Sequence, residues 1–150
     1  MGHHDGRPFI LVVEDQASLR HLIVRMLESG GFDTVGAGVA SDGLALVRQR
    51  RGIIDLAVVD IVMPGMSGLD LATDFDREFP DLKILYISGY VDSIAADVLS
   101  RQSPERVLLK PFTQEELLDR VRLLLGTPPG KKPAQADGPS LPPIRRDMLG

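Results

Sequence analysis

Four short runs of apolar residues are continuous and rich in branched side chains: Phe9-Ile-Leu-Val-Val13, Leu56-Ala-Val-Val59, Ile84-Leu-Tyr-Ile87 and Val107-Leu-Leu109. Uninterrupted runs of this length suit strands covered on both faces, as in a parallel sheet. A fifth segment, residues 32–37, is half polar and reads as a weaker edge strand. Between these runs the apolar spacing changes to that of helices. Leu19, Leu22, Ile23, Met26 and Leu27 form an i, i+3, i+4, i+7, i+8 stripe that Gly30-Gly31 ends. Ser41 can cap a second helix running to about Arg51. Leu69, Ala72, Phe75 and Phe79 mark a third helix after the Pro64-Gly65 loop, and Ile94, Ala95, Val98 and Leu99 a short fourth. Thr113 and Glu116 have capping-box spacing and open a fifth, with Leu117, Leu118, Val121, Leu124 and Leu125 turned inward.

Five strands alternating with five helices predict an α/β domain with a parallel sheet and right-handed crossovers. Residues 1–8 read as a flexible N-terminus and 9–125 as the domain. Residues 126–150 hold six of the chain's eleven prolines and read as a tail or linker. Leu141-Pro-Pro-Ile144 is the one segment of that tail suited to docking on a surface. The tail is too short for a second folded domain, so a single-domain protein and a piece of a larger protein both remain open.

The ends of the strands carry the chemistry. In open parallel sheets, ligands bind beyond the carboxyl ends of the strands. Here the first strand ends in Glu14-Asp15, the third in Asp60, the fourth in Ser88 and the fifth in Lys110. Any one of these could do no more than cap the next helix. Three acids, a hydroxyl and an amine at one end of a sheet make a set. Converging carboxylates repel one another, and a hard divalent cation such as Mg²⁺, with Mn²⁺ as an alternative, relieves that repulsion. An ionised Asp is a nucleophile toward phosphorus, and a cation with an ammonium can neutralise phosphoryl oxygens.

Composition narrows the field. The 150 residues carry 21 acidic and 17 basic side chains, a net charge of −4, which argues against nucleic acid as a direct partner. There is no cysteine, which excludes disulfides, thiolate nucleophiles and Cys-based zinc sites. No apolar run reaches the ~18 residues of a membrane helix, and the N-terminus lacks a signal-peptide stretch, so a cytoplasmic location away from the membrane is expected.

The residue set resembles the receiver domain of two-component response regulators of the chemotaxis-regulator-like kind, over residues 9–125. That resemblance implies a doubly wound (βα)5, flavodoxin-like fold with sheet order 2-1-3-4-5. It implies Asp60 as phosphoacceptor, within Asp60-Ile-Val-Met-Pro-Gly-Met-Ser-Gly68. Mg²⁺ would be held by Asp15 directly, Glu14 through water, Asp60, and the backbone carbonyl of Val62. Ser88, within Tyr86-Ile-Ser-Gly-Tyr90, and Lys110, within Lys110-Pro111-Phe112, would bind the phosphoryl group, with a cis bond at Pro111 aiming the lysine inward. The family often has an aromatic switch residue where this chain has Val107, so Tyr90 is the candidate switch aromatic here. The implied donor is a histidine kinase or histidine phosphotransfer protein. The implied output is a changed protein contact, such as homodimerisation through the face of helix four, strand five and helix five. A receiver excised from a hybrid histidine kinase fits equally. A phosphohydrolase of the haloacid-dehalogenase kind needs a second acid at position 62, which is Val62, and a degenerate interaction-only receiver would have lost an acid or the lysine. The expected activity is self-phosphorylation and autodephosphorylation, without turnover of a separate substrate.

Overall fold

The computed structural model describes residues 6–63, 67–89 and 104–126. Its strands are β1 (Phe9–Val13), β2 (Asp33–Ala37), β3 (Leu56–Asp60), β4 (Lys83–Ser88) and β5 (Val107–Leu109). All pair in parallel, in the order β2-β1-β3-β4-β5. The helices are α1 (Ala17–Ser29), α2 (Ala40–Gln49), α3 (Gly68–Glu78) and a last helix, Gln114–Leu125. The expected fourth helix, Tyr90, the Pro64-Gly65 loop and the tail beyond Gly126 lie outside the described residues.

Alternation along the buried strands divides the core in two. Leu11, Val13, Ala57, Val59, Ile84 and Tyr86 face α2 and α3, meeting Leu44, Val47, Leu71 and Phe75. Ile10, Val12, Leu56, Val58, Leu85 and Ile87 face the other way, onto Ile23 and Leu27 of α1 and Leu117, Leu118 and Val121 of the last helix. A period of two along each strand is what places neighbouring residues on opposite faces. β1 and β3 are buried at every position, as central strands covered on both sides require.

Three local expectations change. The second helix starts at Ala40 rather than at Ser41: Val39 is the extended N-cap residue and makes no side-chain bond. Ala40, Leu44 and Val47 are all buried, so packing at i, i+4 and i+7 sets the start and Ser41 lies inside the first turn. Leu22 belongs to the α1 stripe by spacing but is 46% exposed. It lies about 100° round the helix from Ile23, at the stripe's margin. The last helix buries Leu117, Leu118 and Val121 together with Arg122, while Leu124 and Leu125, expected inward, are only half-buried. Its capping box is present in full: the Thr113 hydroxyl accepts from Glu116 N at 3.1 Å and Glu116 Oε1 accepts from Thr113 N at 2.8 Å. No helix among the described residues is long and apolar enough to cross a membrane.

Candidate functional site

Strand register brings the expected residues to one end of the sheet. Val13 pairs with both Ala37 and Val59, Asp60 with Ile87, and Ser88 with Leu109. The ladders run on past the strands: Glu14 N donates to Ala37 O at 3.1 Å, Ile61 N to Ile87 O at 3.0 Å, and Lys110 N to Ser88 O at 2.8 Å. The side chains that follow the strands are therefore fixed by main-chain bonds. The peptide between Lys110 and Pro111 is cis.

One carboxylate oxygen from each of Glu14, Asp15 and Asp60 lies within 4.8 Å of the others, the one such group among the described residues. Glu14 and Asp60 are buried and Asp15 is exposed, so the cluster opens to solvent on the Asp15 side. Asp60 Oδ1 accepts from Val62 N at 3.0 Å. Asp60 Oδ2 lies 3.3 Å from Lys110 Nζ, which also lies 3.9 Å from Glu14 Oε1. Glu14 Oε2 accepts from Gln16 N at 3.0 Å, whereas Glu14 Oε1, fully buried, has no hydrogen-bond partner among the described residues. Ser88 is buried at the same strand end.

The electrostatics follow from this crowding. Burial, then the closeness of the Asp60 carboxylate and its charge, push the Glu14 carboxyl from 4.5 up to about 7; the Gln16 N–H and the Lys110 ammonium pull the other way. One ammonium faces three carboxylates, and one buried acceptor is orphaned. That donor set, oxygen only and short of positive charge, fits a hard divalent cation. Glu14, Asp15 and Asp60 are the side chains able to hold it.

Neither Asp15 nor Asp60 serves as a helix cap. The N-cap of α1 is Gln16, with no side-chain bond, and that of α3 is Ser67, whose hydroxyl accepts from Asp70 N at 3.2 Å. Two contributions escaped the sequence reading. Gly68 lets α3 start directly against the acid-bearing strand: a Cβ there would lie 2.1 Å from Asp60 O. Arg20 reaches back from α1, its Nη1 donating to Glu14 O at 2.7 Å. The glycine was visible in the motif after Asp60, but its reason is a backbone contact between segments; nothing local marks the arginine.

Known proteins match this architecture. The response regulator receiver domain family matches residues 10–122. The sensor kinase CckA of Brucella abortus is 32% identical over 120 residues, which are 80% of this chain and 13% of CckA. The DNA-binding response regulator MtrA of Mycobacterium tuberculosis is 33% identical over 119 residues, 79% of this chain and 51% of MtrA. The chain thus spans about half the length of one relative and a small part of the other. Among solved structures, the response regulator TrrA of Thermotoga maritima, in complex with Mg(2+)-BeF, superposes with a TM-score of 0.69 at 30% identity, over 78% of this chain and 98% of TrrA. Sheet order, strand-end residues and these matches agree, and the chain belongs to the response regulator receiver domain family.

Proposed function

We propose that this chain is a phosphoacceptor switch in which Asp60 takes a phosphoryl group from a histidine kinase or histidine phosphotransfer protein. The observation that carries the reading is the Lys110 ammonium 3.3 Å from the buried Asp60 carboxylate, beside Glu14 and Asp15. An Asp60 oxygen attacks phosphorus, the P–N bond of the donor phosphohistidine breaks, and the imidazole leaves with the electron pair. Lys110 exchanges its contact with the carboxylate for one with a phosphoryl oxygen, and the Ser88 hydroxyl donates to another. Burial of Asp60 and Glu14 limits water at the site. Glu14, Asp15, Asp60 and the Val62 carbonyl would hold Mg²⁺, which supplies charge neutralisation at the phosphoryl oxygens. The TrrA complex with Mg(2+)-BeF supports that cofactor by similarity. The chemistry is confined to the protein's own phosphorylation and dephosphorylation, and its place is the cytoplasm. The test is Mg²⁺-dependent labelling by acetyl phosphate, giving one hydroxylamine-labile acyl phosphate per chain; no labelling with Mg²⁺ present would refute the reading.

The output is a changed protein contact. The proposed surface is the face of β5 and the last helix, where Leu109 and Leu123 are 46% and 45% exposed. Movement of Ser88 toward the phosphoryl group would draw Gly89-Tyr90-Val91 with it. A second reading has a specific observation behind it: the match covers 80% of this chain but 13% of CckA, so the receiver can also be one module of a hybrid sensor kinase. A DNA-binding output, as named for MtrA, would likewise need residues beyond these.

A further inference from the structure

The turn that carries Glu14 and Asp15 is held from two sides. Glu14 N donates to Ala37 O on the edge strand, and Glu14 O accepts from Arg20 Nη1 at 2.7 Å. The Arg20 side chain reaches that oxygen across β2 and the residue after it. A Cβ at Gly36 would lie 3.3 Å from Arg20 Cδ, and one at Gly38 would lie 3.0 Å from Arg20 Nη1. Neither glycine has a positive φ, so conformation does not require them. What they provide is space: two missing side chains make a slot, and the guanidinium occupies it.

We infer that Arg20 is a positioning residue: seated over Gly36 and Gly38, it pins the Glu14 carbonyl so that the Glu14 and Asp15 carboxylates stay gathered beside Asp60. The inference rests on reading Glu14, Asp15 and Asp60 as the Mg²⁺ site. The pinned peptide lies between the two acids, so its orientation sets where both side chains start. Three carboxylates within 4.8 Å repel one another, and a turn free to rotate would relieve that repulsion by swinging Asp15 outward. A charge-assisted hydrogen bond to the carbonyl opposes that rotation and keeps the site assembled before a cation arrives. Arg20 touches neither the cation nor the phosphoryl group in this account; it acts through the Glu14 main chain.

The experiment compares wild type, Arg20→Ala, Arg20→Lys, Gly38→Val and the Arg20→Ala/Gly38→Val double variant as full chains. Mg²⁺ affinity is measured by calorimetric titration with the metal alone. Separately, exchange of the Gln16 amide is followed in EDTA, and acetyl phosphate labelling is followed against Mg²⁺ concentration. Arg20→Ala is expected to weaken Mg²⁺ binding about tenfold, as loss of groups that orient metal ligands does. It should raise the half-saturating Mg²⁺ for labelling more than it lowers the saturated rate, and speed Gln16 exchange. Gly38→Val should do the same with the arginine still present, the double variant should be no worse than either single one, and Arg20→Lys should recover part of the affinity. Loss of thermal stability with unchanged Mg²⁺ affinity in Arg20→Ala, or normal affinity in Gly38→Val, would overturn the inference alone. A wild-type chain that takes up no Mg²⁺ would overturn the site reading and this inference together.

Discussion

Replacing Glu14 with Gln should stabilise the metal-free protein at neutral and alkaline pH. Glu14 is 1% exposed, its Oε1 has no hydrogen-bond partner among the described residues, and its carboxyl is pushed from 4.5 up to about 7. Between those pH values the folded protein holds a proton that the unfolded chain has lost. The contribution of Glu14 to metal-free stability therefore falls as pH rises through that window and is lowest above 7. The gap corresponds to about 3 kcal/mol at pH 8, or roughly 10 °C in melting temperature for a domain of this size. Gln keeps an acceptor for Gln16 N and removes the charge. The assay is urea unfolding in EDTA from pH 4 to pH 8: the two proteins should converge near pH 4, separate progressively between about pH 4.5 and 7, and differ most above pH 7, the variant being the more stable. Mg²⁺ should then narrow the gap, since a cation at ten times its dissociation constant adds about 1.4 kcal/mol to the form that binds it. Equal stabilities across the pH range, or a variant less stable at pH 8, would refute this account of Glu14.

Gly68→Ala should destabilise the fold by about 3 kcal/mol, because a Cβ 2.1 Å from Asp60 O meets main chain that cannot rotate away; chemical denaturation measures it, and a neutral effect would contradict the contact. Lys110→Ala should still fold, but should uncouple phosphate from conformation, so that amide exchange no longer changes with beryllofluoride. Ser88→Ala and Tyr90→Ala should each reduce the beryllofluoride-induced exchange change in the segment before β5 and the shift in association state by light scattering; if both variants respond as wild type does, the signal does not run through Ser88 and Tyr90.

The strands were legible because a parallel sheet covered on both faces needs continuous apolar runs, and 9–13, 56–59, 84–87 and 107–109 are such runs. The acids and the lysine were legible for the same reason: Asp60 ends its strand, and Glu14, Asp15 and Lys110 lie within two residues of a strand end, so finding the strand finds the residue. Helix starts were less so. Thr113 announces its cap through Glu116, three residues on, whereas α2 starts where Ala40 must pack, and the polar Ser41 misdirects. Arg20 and Gly68 were hidden because what they do depends on distant backbone, Glu14 O for one and Asp60 O for the other. Leu22 shows the limit of periodicity: spacing defines a stripe, and the width of the groove beneath it decides which members are covered.

The central claim is the identity of the acceptor. Wild type and Asp60→Asn should be incubated with acetyl phosphate and Mg²⁺, then reduced with borohydride, which converts an aspartyl phosphate to homoserine, and their peptides sequenced by mass spectrometry. The account predicts homoserine at position 60 in the wild type, none elsewhere, and none in Asp60→Asn. Homoserine at another aspartate in the wild type, or an acyl phosphate formed to the same extent in Asp60→Asn, would contradict it.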